Sequence, residues 1–216
     1  MRVDAAYARP MDAELRIETA GPAMAAAAAG VLCRSHAEYP AFQHLFPDRA
    51  RRLRVLRPFL TATARDAARH GRLDVARIGD RVGGAALWMP PGAWPATPGR
   101  KLRMTPALTV ALLTAGGRAR PWLRTGAAIE ADTIDGWYLI ALGVDPSAQR
   151  RGVGGHLLSP VLALADVDGA TVGLHTSDPA NVAYYQRFGF TVTRPLGELF
   201  PGGPAYLSMR RPPQPS

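Results

Sequence analysis

Leu142-Gly143-Val144-Asp145-Pro146-Ser147-Ala148-Gln149-Arg150-Arg151-Gly152-Val153-Gly154-Gly155 joins an apolar strand to a helix through a turn suited to an anion. Trp137 to Val144 is an unbroken apolar run of strand length, rich in β-branched and aromatic side chains. Asp145-Pro146 ends it, because proline removes a ladder donor and restricts the residue before it. From Gln149 onward the pattern opens a helix. Gly152, Gly154 and Gly155 carry no Cβ, so the backbone can turn tightly and bring N–H groups close to a ligand. Those N–H groups are unpaired at a helix start, the helix dipole is positive there, and Arg150, Arg151 add full charges. A diphosphate suits such a turn. A glycine-rich strand-to-helix turn also occurs with no ligand and in other phosphate-binding folds. A nucleoside triphosphate loop is excluded, since no Gly-Lys-Ser/Thr ending is present and the only lysine, Lys101, lies far upstream. The spacing also differs from the dinucleotide fingerprint, and the strand sits late in the chain.

Around this turn the chain reads as one α/β domain spanning 1–216, with short flexible ends at about 1–12 and 211–216. Its 216 residues, 47% hydrophobic, suffice for a full core. The net charge of +9 would ordinarily suggest nucleic acid. Of the 26 basic residues, however, all but Lys101 are arginine and they are scattered, so no nucleic-acid partner is expected. Cys33 is the only cysteine, which excludes intrachain disulfides and cysteine-based zinc sites, and an Ala-rich helix suits it to packing. His36, His44 and His70 lack metal-like spacing, so no metal is expected. The longest apolar stretch, Ala23 to Ala29, is far short of the ~20 residues that span a bilayer. No membrane partner and a cytoplasmic location are therefore expected.

Leu15 to Glu18 alternates as a first strand, and Gly21-Pro22 leads into a helix toward Ala37. A second helix runs from about Asp48 to His70 with apolar residues at helical spacing and a Gly71 stop. Leu73 to Ile78 and Val82 to Trp88 form a hairpin around Gly79-Asp80. Pro90 to Arg100 holds four prolines and two glycines, which predicts a connector before an apolar helix at about Pro106 to Ala115. Residues 117 to 135 predict a further helix. After the turn come a helix at Val153 to Ala165, a strand at Thr171 to His175 and a helix at Pro179 to Phe188. The last strands are Phe190 to Thr193 and Tyr206 to Met209. Asp178 is placed to cap the Pro179 helix.

Gln149, Gly152 and Gly154 match the Gln/Arg-x-x-Gly-x-Gly/Ala signature of the GCN5-related N-acetyltransferases, and Asn181-Val182-Ala183-Tyr184-Tyr185-Gln186-Arg187-Phe188-Gly189-Phe190 resembles that family's later Asn…Tyr…Gly-Phe segment. Residues 137 to 192 carry the specific likeness. Glu38-Tyr39-Pro40, His44, Pro47-Asp48-Arg49, Ala85-Ala86-Leu87-Trp88 and Thr176-Ser177 further resemble the puromycin N-acetyltransferase group. The resemblance implies a mixed, mostly antiparallel central sheet flanked by helices, with a splayed parallel strand pair holding acetyl-CoA, the acyl donor.

On this reading backbone groups of Leu142, Gly143 and Val144 pair with the pantetheine arm. Gln149, Arg150, Arg151, Gly152, Val153, Gly154 and Gly155 hold the pyrophosphate, and Asn181 lies beside the arm. The N–H near Leu142 meets the thioester carbonyl as charge develops on it. Tyr185 occupies the position of the family's general acid, with Tyr184 the neighbour most easily mistaken for it. The acceptor is a small-molecule amine, and a protein or peptide amine or a non-catalytic acyl-CoA sensor are the alternatives. The amine needs a base. His175, at the end of its strand, faces the cleft by alternation, while Glu130, Asp132 and Asp135 precede the Trp137 strand. Tyr39, His44 and Trp88, with Phe42 and Trp94, are expected on the acceptor side, and the protein is expected as a monomer or homodimer.

Overall fold

In a computed structural model of the protein, residues 15–214 are described. The expected loose end at 1–12 lies outside them. A seven-stranded sheet in the order β1-β2-β3-β4-β5-β7-β6 organises the chain. It comprises β1 (Leu15–Thr19), β2 (Arg72–Ile78), β3 (Arg81–Met89), β4 (Gly136–Val144), β5 (Thr171–Thr176), β6 (Thr191–Glu198) and β7 (Ala205–Arg211). Neighbours are antiparallel except β4 and β5, which run parallel. The mixed α/β sheet with one parallel pair is the architecture expected.

Alternation along the strands separates two cores, because successive side chains leave a strand on opposite faces. Leu73, Val75, Ala85, Leu87 and Met89 pack with α1 (Ala25–His36) and α3 (Arg49–His70) on one face. Ala76, Ala86, Trp88, Leu139, Val172 and Leu174 pack with α6 (Val153–Val167) on the other. The many small residues of α1 are explained by this: Ala25, Ala28 and Ala29 are fully buried where the helix lies flat on the sheet. A third cluster joins α2 (Pro40–Leu45), α4 (Pro98–Ala115) and α5 (Ala119–Ala131) to α3 and β7 through Leu45, Phe46, Val55, Ala111 and Tyr206.

Two elements differ from the sequence reading. Between the two expected helices lies α2, with Pro40 at its first position, where a missing N–H costs nothing. α4 begins at Pro98 rather than Pro106, because Thr97 caps it by accepting the Arg100 N–H and Pro106 is absorbed within the helix. The connector is correspondingly shorter. At the C-terminal end, Arg211 makes two 2.7 Å contacts with the Asp166 carboxylate, which also accepts the Gln214 N–H.

Candidate active site

β4 and β5 pair only from Gly136↔Thr171 to Leu139↔Leu174. At the same level β4 carries one extra residue against β3, since Leu87↔Ala141 is followed by Trp88↔Leu139, leaving Ile140 unpaired. A bulge bends and twists the strand that bears it. Beyond it the two strands part, and a cavity of about 960 Å³ lies at the opening, lined on one wall by Leu142, Gly143 and Val144. Its far end is the glycine turn. Arg150 at φ 62° and Gly152 at φ 80° alternate with ordinary backbone, the arrangement that points successive N–H groups into one concavity. α6 then starts at Val153, where the sequence places the helix after the turn, and no side chain caps it. Its first N–H groups are thus left for a ligand.

Side chains confirm how tightly this wall is drawn. A Cβ at Gly143 would stand 2.1 Å from Ser35 Oγ, and one at Gly154 would stand 2.5 Å from the Tyr184 hydroxyl. That hydroxyl is buried with no hydrogen-bond partner. Gln149, Arg150, Val153 and Gly155 line the cavity, but Arg151 does not. Gln149 also braces the turn, its Nε2 donating to the Val144 carbonyl at 3.1 Å. Arg34 and Arg187 supply the charge expected of Arg151. Arg34 is held by Asp145 at 2.7 Å, and Arg187 lies over the Tyr184 ring at 5.0 Å. Tertiary packing brings Arg34 across from α1, which local sequence spacing does not reveal.

A second cavity, about 580 Å³, opens from the same splay and shares His36, Tyr39, Leu142, Asn181 and Tyr185 with the first. Phe42, Phe59, Trp94, Trp122, Tyr138 and Tyr206 give it aromatic walls, and α4 with α5 covers it. Its carboxylates are paired: Asp66 takes Arg100 in a bidentate contact at 3.1 and 2.6 Å, and Glu130 takes Lys101 at 2.5 Å. Two acceptor-side expectations are corrected. Trp88 is fully buried against α6, because strand alternation turns it to the opposite face of the sheet. His44 lines neither cavity; it stacks on Phe200 and bonds the Pro201 carbonyl at 3.1 Å.

A model of the acetyltransferase (GNAT) domain matches residues 118–192. The fold also superposes on a Corynebacterium glutamicum protein described as histone acetyltransferase HPA2 and related acetyltransferase, at 25% identity and TM-score 0.63, covering 94% of this chain and 98% of that one. The chain has the GNAT fold. Two more distant solved structures share the fold. The Drosophila melanogaster polyamine N-acetyltransferase is 17% identical, with TM-score 0.62 over 92% of this chain and 100% of its own. The arylalkylamine N-acetyltransferase 2 of Aedes aegypti is 14% identical, with TM-score 0.62 over 93% of this chain and 100% of its own. The matched segment runs from the residue before α5 through the turn to the start of β6, so of the two helices that cover the second cavity α5 lies within it and α4 precedes it.

Within the matched segment, α7 (Pro179–Gln186) carries both tyrosines, and Asp178 caps it by accepting the Ala180 N–H at 2.9 Å. Tyr185 lines both cavities, and burial pushes its pKa up, so the hydroxyl keeps its proton near neutrality. Tyr184 instead lies toward the glycine turn. Asn181 lines both cavities, its Nδ2 3.5 Å from Thr176 Oγ1. Tyr39 is anchored at the junction because its hydroxyl accepts the Ser177 N–H at 2.6 Å. His175 lines the second cavity as alternation predicts, but both ring nitrogens are engaged. Its Nε2 lies 2.8 Å from Asp132 Oδ2 and its Nδ1 3.0 Å from the Tyr138 hydroxyl. An ionised carboxylate only accepts, so Nε2 donates and Nδ1 receives the Tyr138 proton. Burial lowers the His175 pKa, against the raising effect of Asp132. For Asp132 itself burial pushes the pKa up, but bonds from Ser208, His175 and Arg210 outweigh it and hold the carboxyl well below the usual range. The neutral ring has no lone pair left for an amine, which removes His175 from direct proton abstraction. Cys33 is buried and its thiol is pushed up to about 11 by desolvation, consistent with packing. Among the described residues no group of three or more His, Cys, Asp or Glu side chains is placed to hold a metal, and no helix is long and apolar enough to cross a membrane.

Proposed function

We propose that the protein transfers the acetyl group of acetyl-CoA to the amine of a small molecule with an apolar body, by direct attack on the thioester. The observation that carries this reading is the meeting of the two cavities at the splayed end of β4. One cavity suits a long phosphorylated donor, and the other has the size and aromatic lining of a small-ligand site. The donor's fit rests on three features of the chain: the uncapped α6 N-terminus, the left-handed Arg150 and Gly152, and the unpartnered Tyr184 hydroxyl beside Gly154.

When bound, acetyl-CoA supplies an activated acyl carbon and a thiol leaving group. The turn would hold the diphosphate with backbone N–H groups of Val153 to Gly155 and with Arg150, Arg34 and Arg187. The edge of β4 that β5 leaves free at Leu142 to Val144 would align the pantetheine arm as an added strand, and a β4 N–H at Leu142 would stabilise charge on the thioester oxygen. Asn181 would orient the arm, and Tyr185 would give its proton to the departing sulfur. Holding the two reactants together would supply much of the acceleration. The enclosed aromatic chamber favours a small molecule over a peptide, in keeping with the resemblance to the puromycin-acetylating group. The paired state of Asp66 and Glu130 leaves few free charges for a polycation.

Thiol release from acetyl-CoA with a panel of apolar amines, polyamines and acceptor peptides, alongside calorimetric acetyl-CoA binding, tests the proposal. Turnover selective for apolar monoamines is the expected result. Tight binding with no release across the panel would instead support an acyl-CoA sensor, and no binding would remove the donor site.

A further inference from the structure

His36 is the last residue of α1 and lines both cavities, beside Tyr39, Leu142, Asn181 and Tyr185. Its Nδ1 lies 2.9 Å from the Leu32 carbonyl oxygen and 2.9 Å from Ser35 Oγ. A carbonyl only accepts, so Nδ1 carries the hydrogen. Ser35 supports that assignment, since its hydroxyl donates to the same carbonyl at 3.0 Å and leaves its oxygen free to receive Nδ1–H. In the neutral ring the lone pair therefore lies on Nε2. Nε2 has no hydrogen-bond partner among the described residues and is not sealed in the core. The tyrosine tether from Tyr39 to Ser177 holds the adjacent wall, with the Tyr39 and His36 rings 5.8 Å apart.

We propose, resting on the acetyl-transfer reading above, that His36 Nε2 is the general base that deprotonates the acceptor amine at the junction of the two cavities. His36 takes one proton from the ammonium. The amine nitrogen then forms the bond to the acyl carbon as the carbon–sulfur bond breaks. Tyr185 protonates the sulfur and recovers its proton from the newly acylated nitrogen, while His36 releases its own to solvent, so one proton leaves per turnover.

Burial lowers the His36 pKa, with the Leu32 bond opposing it, so the ring is neutral at neutral pH and takes up its proton only in acid. Arg150 belongs to the glycine turn and Arg187 lies over the Tyr184 ring, and the other charged groups near it are engaged. Arg34 of α1 is paired with Asp145, Glu38 takes Gln43 and Arg49, and Asp178 caps α7. Tyr39 and Tyr185, the titratable groups sharing the junction, have pKa values pushed up by burial and stay neutral.

Two measurements on the full chain test the assignment. Nitrogen-15 spectra of histidine-labelled protein without ligand, with the His36 signal identified by its loss in His36→Asn, should show hydrogen on Nδ1 and a bare Nε2. Hydrogen on Nε2 instead would overturn the proposal whatever the enzyme's activity. His36→Asn keeps a donor near the Leu32 carbonyl while removing the lone pair. It should lower kcat/KM by about 10²-fold, abolish the acidic limb of the pH–rate profile and leave acetyl-CoA affinity unchanged. Wild-type rate and profile in that variant would also overturn it. Absence of turnover by the wild-type protein would count against the acetyl-transfer reading itself, and a bare Nε2 in the spectra would then show the ring's state independently.

Discussion

The two cavities share one sheet edge but are made of different material. The proposed donor side is shaped chiefly by backbone, with arginines and tyrosines around it: β4 freed from β5, a turn with two left-handed residues, and a helix start without a cap. The acceptor side is side chains, drawn from α2, α3, α4, α5 and three strands. A backbone site tolerates few substitutions at its glycines and is indifferent to many elsewhere. A side-chain site can be re-lined without disturbing the fold, so its specificity is set residue by residue. Four variants would break or sharpen that contrast.

Gly154→Leu should have the largest effect. Its Cβ would meet the Tyr184 hydroxyl at 2.5 Å at the point where N–H groups turn toward the ligand. Acetyl-CoA affinity should fall by at least ~10³-fold, on the order of 4 kcal/mol, with little change in the rest of the fold. Unaltered affinity by calorimetry would remove the turn as the phosphate site.

Asp66→Ala comes next and acts on the other side. Asp66 and Arg100 are both largely buried and make a bidentate contact that fixes the start of α4 to α3. Removing one partner of such a pair leaves a buried charge alone and costs about 3–5 kcal/mol. Chemical denaturation should register that loss, and the acceptor KM should rise while acetyl-CoA affinity holds. Equal weakening of both ligands would mean that the chamber cover and the turn are not separable. Tyr185→Phe follows, with kcat expected to fall about 10²-fold and both ligands still bound. Wild-type turnover would pass the acid role to water or to another side chain.

The same contrast explains what the sequence could reveal. The turn was legible because its logic is local: Gln149, Gly152 and Gly154 sit within six residues of one another, and the preceding run could only be a buried strand. The sheet followed from alternation and hairpin spacing. Alternation did not say which face bears the pocket, so Trp88, apolar among apolar neighbours, was placed on the wrong side. His44 sat near the right segment but is turned to the Phe200 loop. His36 carried no signal at all, because its role depends on a helix-end carbonyl and on a junction formed by residues more than a hundred positions away. The early start of α4 was obscured by prolines that the structure uses at Thr97-Pro98 and tolerates at Pro106.

Trp94→Leu should give the smallest effect and the most diagnostic one. Trp94 stacks on Tyr138 with ring centroids 4.3 Å apart, and Tyr138 in turn donates to His175, which is held by Asp132. The tryptophan is thus the movable wall of a chain whose other members are fixed by hydrogen bonds. Aromatic pairs of this kind contribute about 0.5–1.5 kcal/mol beyond their burial, so losing the ring should raise the KM for an apolar amine up to about tenfold. Because Leu is still apolar and Tyr138 keeps its bond to His175, kcat should change little. Acetyl-CoA affinity should not change, since Trp94 does not line the donor cavity. A fall in kcat with KM constant would place Trp94 in the chemistry rather than in the wall, and would join the chamber to the donor side through the Tyr138–His175–Asp132 chain.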